Sequence, residues 1–313
     1  YTSLVTAVEE ASSGDTIELG EGSYTLYKKI SDDKKPKGKD LTFVGQGPDK
    51  TTWQIGPEVP DPKLYGTEYN SDYSFQNAGT ITFKNMKLCT GDKNYLGFTY
   101  IDKTVVDHCD IYGRTAYWGY TSAEFIDTTF YAPPLSYAIW TYCSPTMTFD
   151  NCTFNATGKV INVYTDYGAG KQDITVYFNN CTVNSSILNK QALNINDSNM
   201  RPYKYIIHID NPQTIDAALS NTTCSQLFGF KEDKSTGFTG NTGYTDVYLD
   251  GDLVWTNGKM KTHSYTVGEK EDAYEITGRS DWTPSVERVD ECEVTKTCKY
   301  CGWTKKELEH ASV

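Results

Sequence analysis

Apolar and polar residues alternate in short runs that recur through the middle of the chain. Five eight-residue segments align without gaps, and each has an apolar residue at its third and eighth positions. They begin at Ile81, Thr104, Ala123, Met147 and Val176, so the repeat recurs every 19 to 29 residues. Strand-like alternation at this interval is typical of a solenoid built from short strands and turns. The pattern predicts an all-β chain folded as a parallel β-helix around a continuous apolar core.

Four positions of the repeat form columns of distinct chemistry. The third and eighth positions are apolar: Phe83, Val106, Phe125, Phe149 and Phe178, then Leu88, Ile111, Phe130, Phe154 and Val183. The sixth position holds Met86, Cys109, Thr128, Cys152 and Cys181, and the fifth holds Asn85, His108, Asp127, Asn151 and Asn180. We predict that the sixth column is buried, with free thiols favoured over disulfides. The polar fifth column is predicted to line turns.

The ends of the repeat define the predicted domains. Apolar residues between Leu4 and Ala11 have helical spacing, and a short helix there would cap the open end of a β-helix. After about residue 235 the repeat stops, and glycine, threonine and lysine become frequent. We therefore predict a β-helix over residues 1–235 and a small C-terminal β module over residues 236–313.

A second strand in each coil carries many of the aromatic residues. Four five-residue segments end in tyrosine, and their third and fifth positions are predicted to face outward. The predicted aromatic face consists of Phe98, Tyr100, Trp118, Tyr120, Trp140, Tyr142 and Tyr164. An exposed apolar surface several coils tall is typical of a binding site. The alternative is that the segment 57–78, rich in proline and tyrosine, folds over this face and buries it.

Composition narrows the classes of partner. Charged residues make up 22% of the chain and hydrophobic residues 38%, and no run of about 18 apolar residues occurs, so neither disorder nor membrane insertion is expected. The net charge of −12 disfavours nucleic acid and polyuronates as partners. The 24 tyrosines and six tryptophans suit sugars or protein partners.

The block Asp102 to Thr121 and the segment 2–44 resemble pectin methylesterases. This resemblance covers roughly residues 1–230 and implies a right-handed parallel β-helix of the pectin-lyase-like superfamily. It also places the family's catalytic aspartate at Ala116, with Ala138 at the same position of the next coil. Methyl groups supply neither a nucleophile nor an acid or base, so esterase activity and a catalytic cofactor are not expected.

Comparison with other sugar-active β-helix families leaves five candidate catalytic residues in this sequence. Pectate lyases are similar around Asp107 and His108, but they require a calcium-binding acidic cluster together with an arginine base. Polygalacturonases require paired aspartates and a Gly-His-Gly motif, which this sequence lacks. The remaining candidates for an acid/base pair are Asp107, Asp110, Asp127, Asp166 and Arg114. Each aspartate is also explained as an exposed turn or coil carboxylate.

The C-terminal module carries a cluster of potential metal ligands. Cys292, Cys298, Cys301 and His310 could bind one structural zinc ion, because a Cys-x2-Cys-Gly turn presents two thiolates to one tetrahedral ion. The segment is similar to Cys/His repeats of surface proteins from gut Firmicutes. Disulfides, Cys292 with Cys298 for instance, or free thiols are the alternatives.

Together these patterns favour a non-catalytic, adhesin-like protein that is secreted or held at a bacterial surface. It would bind a glycan or a host or cell-surface protein through the aromatic face. Two alternatives remain open: a polysaccharide lyase or glycoside hydrolase using the carboxylates named above, and a structural stalk within a larger surface protein.

Overall fold

The computed structural model describes an almost entirely β chain. The described residues are 4–26, 38–55, 75–89, 95–99, 101–118, 122–131, 137–142, 146–156, 159–164, 173–185, 205–211, 245–256, 259–260, 274–284, 290–298 and 304–311. Within them one helix, α1 (Leu4–Glu10), precedes 27 strands. No helix of this described part is long and apolar enough to cross a bilayer.

The strands are short and follow one another in a regular order. The first ten are β1 (Thr16–Glu18), β2 (Gly22–Leu26), β3 (Leu41–Val44), β4 (Thr51–Ile55), β5 (Phe75–Gln76), β6 (Thr80–Lys84), β7 (Lys87–Cys89), β8 (Tyr95–Thr99), β9 (Lys103–Asp107) and β10 (Asp110–Tyr112). The next ten are β11 (Arg114–Trp118), β12 (Ser122–Ile126), β13 (Thr129–Tyr131), β14 (Tyr137–Tyr142), β15 (Thr146–Asp150), β16 (Thr153–Ala156), β17 (Lys159–Tyr164), β18 (Ile174–Asn179), β19 (Thr182–Ser185) and β20 (Tyr205–Asp210). The last seven are β21 (Thr245–Leu249), β22 (Asp252–Thr256), β23 (Lys259–Met260), β24 (Tyr274–Arg279), β25 (Thr283–Pro284), β26 (Asp290–Cys298) and β27 (Thr304–His310).

Three sheets share the repeating part of the chain. Sheet A has the order β1-β3-β6-β9-β12-β15-β18-β20-β21-β22-β23, sheet B the order β19-β16-β13-β10-β7-β4-β2, and sheet C the order β17-β14-β11-β8-β5. From β6 onward the chain visits A, B and C in turn, returning to A at β9, β12 and β15. Neighbouring strands are parallel as far as β21, where the antiparallel strands β22 and β23 complete sheet A. This connectivity is compatible with a parallel β-helix.

The predicted core columns are confirmed residue by residue. Phe149 registers with Phe125 on one side and Phe178 on the other, and the three rings stack 4.8 and 5.0 Å apart. In sheet B, Phe154 registers with Phe130 and with Val183. The phenylalanines are almost fully buried. Alternate residues of each strand therefore fill one continuous apolar interior, as the period of two requires.

The fifth column of the repeat forms the turn from sheet A to sheet B in five coils, and the same position continues after the sheet A strands β20 and β21. Its residues, called the turn column below, have φ between 45° and 55°: Asn85, His108, Asp127, Asn151, Asn180, Asn211 and Asp250. Asparagine and aspartate tolerate this left-handed conformation better than other non-glycine residues. Six of these backbone N–H groups donate to a carbonyl of an adjacent coil, as from Asn151 to Asn179 at 2.8 Å, and that of Asn211 donates to Asp250 Oδ1 at 2.7 Å. The predicted turn chemistry is confirmed and continues through Asn211 and Asp250.

The sixth column is buried as predicted. Cys109, Cys152 and Cys181 are free thiols in the core, and each sulfur lies 3.3 to 3.7 Å from a backbone carbonyl oxygen of a neighbouring coil. Burial is the main cause that raises the pKa of Cys109, to about 12. This thiol therefore stays protonated and unreactive at neutral pH.

At the first end of the repeat the structure has the predicted helix, and at the other end sheet A extends beyond the predicted boundary. The helix α1 lies where it was predicted and packs Ala7 and Val8 on the core, while Lys39 Nζ donates to the Ala11 carbonyl at 2.7 Å. At the other end sheet A extends beyond the predicted boundary at residue 235, because β21 pairs in parallel with β20 and buries Val247. The remaining strands, β24 to β27, form a separate antiparallel sheet D.

Candidate functional site: an aromatic column and an acidic corner

Sheet C carries the strands of the predicted aromatic face, in a register that differs from the prediction. Trp118 registers with Tyr142, and Tyr142 registers with Tyr164, so three aromatic positions occupy one column of three adjacent strands. Trp140 registers with Ala116 and Asn162 rather than with Trp118. The predicted pairing of Trp118 with Trp140 is therefore wrong.

On the first strand of the predicted face, Phe98 aligns with buried residues of the neighbouring strands and not with the positions predicted to face outward. Phe98 registers with Phe75 and with Tyr117, both of which are buried. The prediction that Phe98 shares an outward column with Trp118 is therefore wrong. Phe75 also belongs to the segment predicted to cover the aromatic face, and it lies in the core instead. Tyr100 and Tyr120, like residues 57–74, fall outside the described residues.

The register also shows which residues lie beside Ala116, the position that the resemblance to pectin methylesterases gives to a catalytic aspartate. Ala116 pairs with Trp140 in the next strand and with Gly97 in the preceding one, whereas the sequence alignment had placed Ala138 beside it. The predicted neighbour was wrong. None of the three aligned positions carries a carboxylate, as the esterase reaction would require.

The candidate catalytic residues are distributed over three sheets. Asp107 and Asp127 approach each other at the turn column, Asp110 lies on sheet B, and Arg114 begins the sheet C strand β11. Asp110 is partly exposed, and burial raises the pKa of its carboxyl above the usual value, an effect that Lys87 partly offsets. Asp166 lies outside the described residues. Among the described candidates, only Asp107 and Asp127 come together.

These two aspartates flank His108 and form what we call the acidic corner. His108 Nδ1 lies 2.5 Å from Asp107 Oδ1, and His108 Nε2 lies 3.4 Å from Asp127 Oδ2. Lys84 Nζ lies 3.1 Å from the other oxygen of Asp107. Asn151 Nδ2 donates to Asp127 Oδ1. The corner is therefore a chain of hydrogen-bonded and ion-paired side chains from four successive coils.

The neighbours of Asp107 make its contribution to folding stability depend on pH. Partial burial raises the pKa of this carboxyl, but hydrogen bonds and charges from His108 and Lys84 outweigh burial, so the net shift is downward. Because the pKa is lower in the folded state, the ionised carboxylate stabilises the fold fully at pH values above its unfolded-state pKa, which is about 4. This contribution is lost as the pH falls through the lower folded-state pKa.

We therefore expect Asp107→Asn to lower the free energy of unfolding by up to about 1 kcal/mol at pH 7, and by progressively less as the pH is lowered below 4. Urea denaturation of both proteins at several pH values measures this difference. Asp102→Asn, at an exposed aspartate just before β9, is the matched control and should change stability little at any pH. A difference that grows on acidification would contradict the assignment.

Two aromatic stacks on the outer faces of sheets A and B were missed by the sequence analysis. His208 lies between Tyr177 and Tyr248, with ring centroids 4.7 Å away on each side. Tyr112 stacks on Tyr131 at 4.2 Å. Extending the repeat to β20 and β21 would have found the first stack, because these residues occupy one column of aligned strands.

The predicted zinc ligands do not converge. Cys292 and Cys298 lie six residues apart on the continuous strand β26, which separates them by about 20 Å at roughly 3.3 Å per residue. Cys292 registers with Glu309, whereas His310 registers with Glu291, so Cys292 and His310 lie on opposite faces of sheet D. The four residues therefore cannot surround one ion, and a Cys292–Cys298 disulfide is equally excluded.

Cys292 and His310 each contact a neighbouring charged side chain in sheet D. Cys292 is buried and accepts a hydrogen bond from Arg279 at 3.3 Å. His310 Nδ1 lies 3.2 Å from Glu291 Oε1. Cys301 lies outside the described residues.

Comparison with known proteins adds no relative. No family model, curated protein or solved structure matches this chain. The function is therefore inferred from the fold, the aromatic column and the acidic corner.

Proposed function

We propose that this chain is a right-handed parallel β-helix of the pectin-lyase-like kind that serves as a non-catalytic glycan-binding protein, secreted or held at a bacterial surface. The ligand lies along sheet C, across the column formed by Trp118, Tyr142 and Tyr164. The register that aligns these three positions on adjacent strands is the observation that carries the proposal.

The alternation of sheet C supports an outward location for this column. Tyr117 and Ile139, the sequence neighbours of Trp118 and Trp140, are buried in the core. Successive residues of a strand lie on opposite faces, so positions 118 and 142 fall on the outer face. Parallel strands lie about 4.8 Å apart, which gives a row of aromatic positions long enough to follow several sugar units.

The charge of the chain favours a neutral glycan. A net charge of −12 repels polyuronates, whereas uncharged sugars bind through the apolar faces of their rings and through hydrogen bonds at the ring edges. The paired carboxylates of the acidic corner lie at the turn between sheets A and B, and neither belongs to a strand of sheet C. Hydrolysis or elimination would need the acids beside a sugar bound along sheet C, so this placement favours binding.

We expect the chain to bind neutral polysaccharides on a glycan array without releasing reducing ends or unsaturated products. Trp118→Ala and Tyr142→Ala should each weaken binding at least about tenfold, because truncating an aromatic hot spot typically costs about 2 kcal/mol or more. Isothermal titration with the best array glycan measures the affinity.

Trp282→Ala provides the matched control, since Trp282 is 44% exposed and lies just before β25, outside sheet C. It should leave affinity unchanged. Product formation from any polysaccharide would replace the binding proposal with a lyase or hydrolase. Failure to bind every glycan would instead favour a protein partner or a structural stalk.

A further inference from the structure

The acidic corner departs from the rest of the turn column. Four of the seven described turn-column residues are asparagine and two, Asp127 and Asp250, are aspartate, and both residue types tolerate the left-handed turn. His108 is the one histidine among these seven, and Asp107 and Asp127 lie on either side of its ring. The turn itself does not require a histidine between two carboxylates, so this arrangement calls for another explanation.

The hydrogen bond between His108 and Asp107 fixes which ring nitrogen carries a proton. At 2.5 Å from Asp107 Oδ1, His108 Nδ1 is the donor. When the imidazole is neutral, Nε2 carries a lone pair, and Asp127 Oδ2, which is also an acceptor, lies 3.4 Å from it. Two acceptors at this distance are stabilised by a cation that contacts both.

We propose that His108 Nε2 and Asp127 Oδ2 bind a divalent transition-metal ion of the zinc class at the acidic corner. Zinc bonds of about 2.1 Å to nitrogen and oxygen, at a tetrahedral angle, place those two atoms about 3.4 Å apart. The observed separation is 3.4 Å. An imidazole ligand selects zinc, copper, nickel or cobalt over calcium and magnesium, which prefer oxygen alone.

Both ligands are held by neighbouring side chains. Asp107 orients the imidazole through Nδ1–H and is itself paired with Lys84, while Asn151 donates to the second oxygen of Asp127. A carboxylate that accepts from a metal-bound histidine fixes the tautomer and raises the basicity of the ligand. Asp107 is thus a positioning residue, and the ligand atoms themselves remain available to an ion.

The corner is accessible and carries a suitable charge. The His108 side chain is 60% exposed and that of Asp127 34%, so an ion can enter from solvent and complete its coordination with water. Two carboxylates and Lys84 leave one net negative charge beside the neutral imidazole, which a divalent cation would offset. With two protein ligands the site is weak and exchangeable.

Imidazole NMR of the full chain under a Zn²⁺ titration tests this site directly. The chain contains four histidines, so the His108 signals are assigned by their loss in His108→Asn, which keeps the residue type found at other turns of the column. We expect saturable shifts of the His108 signals, with the nitrogen-15 change at Nε2 and the proton retained on Nδ1. Zinc held by cysteines elsewhere in the chain leaves these signals unmoved.

Two variants and one control separate a metal site from an ion pair. Asp127→Asn should weaken the Zn²⁺-dependent shift of His108 by at least tenfold. Asp107→Asn should weaken it roughly 10- to 100-fold and redistribute the proton between the ring nitrogens, a change that a purely structural role would not produce. Asp110→Asn, at a carboxylate outside the corner, should leave the affinity unchanged. Circular dichroism without metal verifies folding of each variant.

His108 signals that do not respond to millimolar Zn²⁺ would overturn the proposal and leave an imidazolium ion pair as the role of the corner. Coordination through Nδ1, or an affinity unchanged in Asp127→Asn, would overturn it as well.

Discussion

Replacing Phe149 with alanine is expected to lower the free energy of unfolding by about 3 to 5 kcal/mol, the range typical of buried Phe-to-Ala changes. Phe149 is fully buried between the stacked rings of Phe125 and Phe178, and its neighbours Phe130 and Phe154 pack edge-on against it. The cavity cannot close easily, because each neighbouring ring is fixed by its own coil. Urea denaturation followed by tryptophan fluorescence measures the loss.

Thr148→Ala on the same strand is the matched control, since Thr148 is only partly buried and lies on the other side of the alternation. Its effect should stay within about 0.5 kcal/mol. If Phe149→Ala fails to fold, Phe149→Leu should still fold with a loss of roughly 1 kcal/mol. Equal losses in Thr148→Ala and Phe149→Ala would contradict the core position of residue 149.

Gly45→Ala is expected to destabilise the fold by about 1 to 3 kcal/mol, the usual range for overpacking. Gly45 follows β3 where the chain turns from sheet A, and an added Cβ would lie 2.5 Å from the backbone oxygen of Asn85. It would also lie 2.8 Å from Thr51 Cβ and 2.9 Å from Met86 Cβ. These atoms belong to the backbone or are attached to it, so the coils themselves would have to move apart.

The control for this change is Gly20→Ala. At Gly20 the nearest atom to an added Cβ is the hydroxyl oxygen of Tyr24, 3.6 Å away, which is an ordinary contact. Its stability should be unchanged within about 0.5 kcal/mol, as measured by the same denaturation experiment. Comparable stability of the two alanine variants would show that the first coils do not pack as closely as described.

The acidic corner was only partly predictable. The sequence aligned His108 and Asp127 in one column, because both follow a strand with the same pattern. It could not predict that Asp107, at the end of β9, would lie beside His108, since consecutive strand residues normally face opposite sides. The left-handed φ of 51° at His108 breaks that alternation and brings the two neighbouring side chains together.

The predicted convergence of the zinc ligands is contradicted for a related reason. Spacing in the sequence suggested that Cys292, Cys298 and His310 converge, as they would if the segment were a compact knuckle. The extended conformation of β26 instead carries Cys292 and Cys298 far apart, and pairing with β27 places His310 beside Glu291. The sequence alone does not decide between a turn and a strand over these few residues.

The sequence by itself determined the all-β class, and it determined the register and the turn residues of the five aligned coils in sheets A and B, because period-two alternation with large apolar residues fixes which side of a strand is buried. Only the tertiary structure decided the register of sheet C. There the strand that holds Phe98 has no unique alternation, and its partner was selected by packing: Phe98 aligns with buried Phe75 and Tyr117. Trp118 likewise pairs with Tyr142, two residues from the predicted partner Trp140, and Tyr142 pairs with Tyr164. A shift of two residues keeps the same side of each strand buried, so the alternation in the sequence could not decide between these registers, and packing in the folded sheet did.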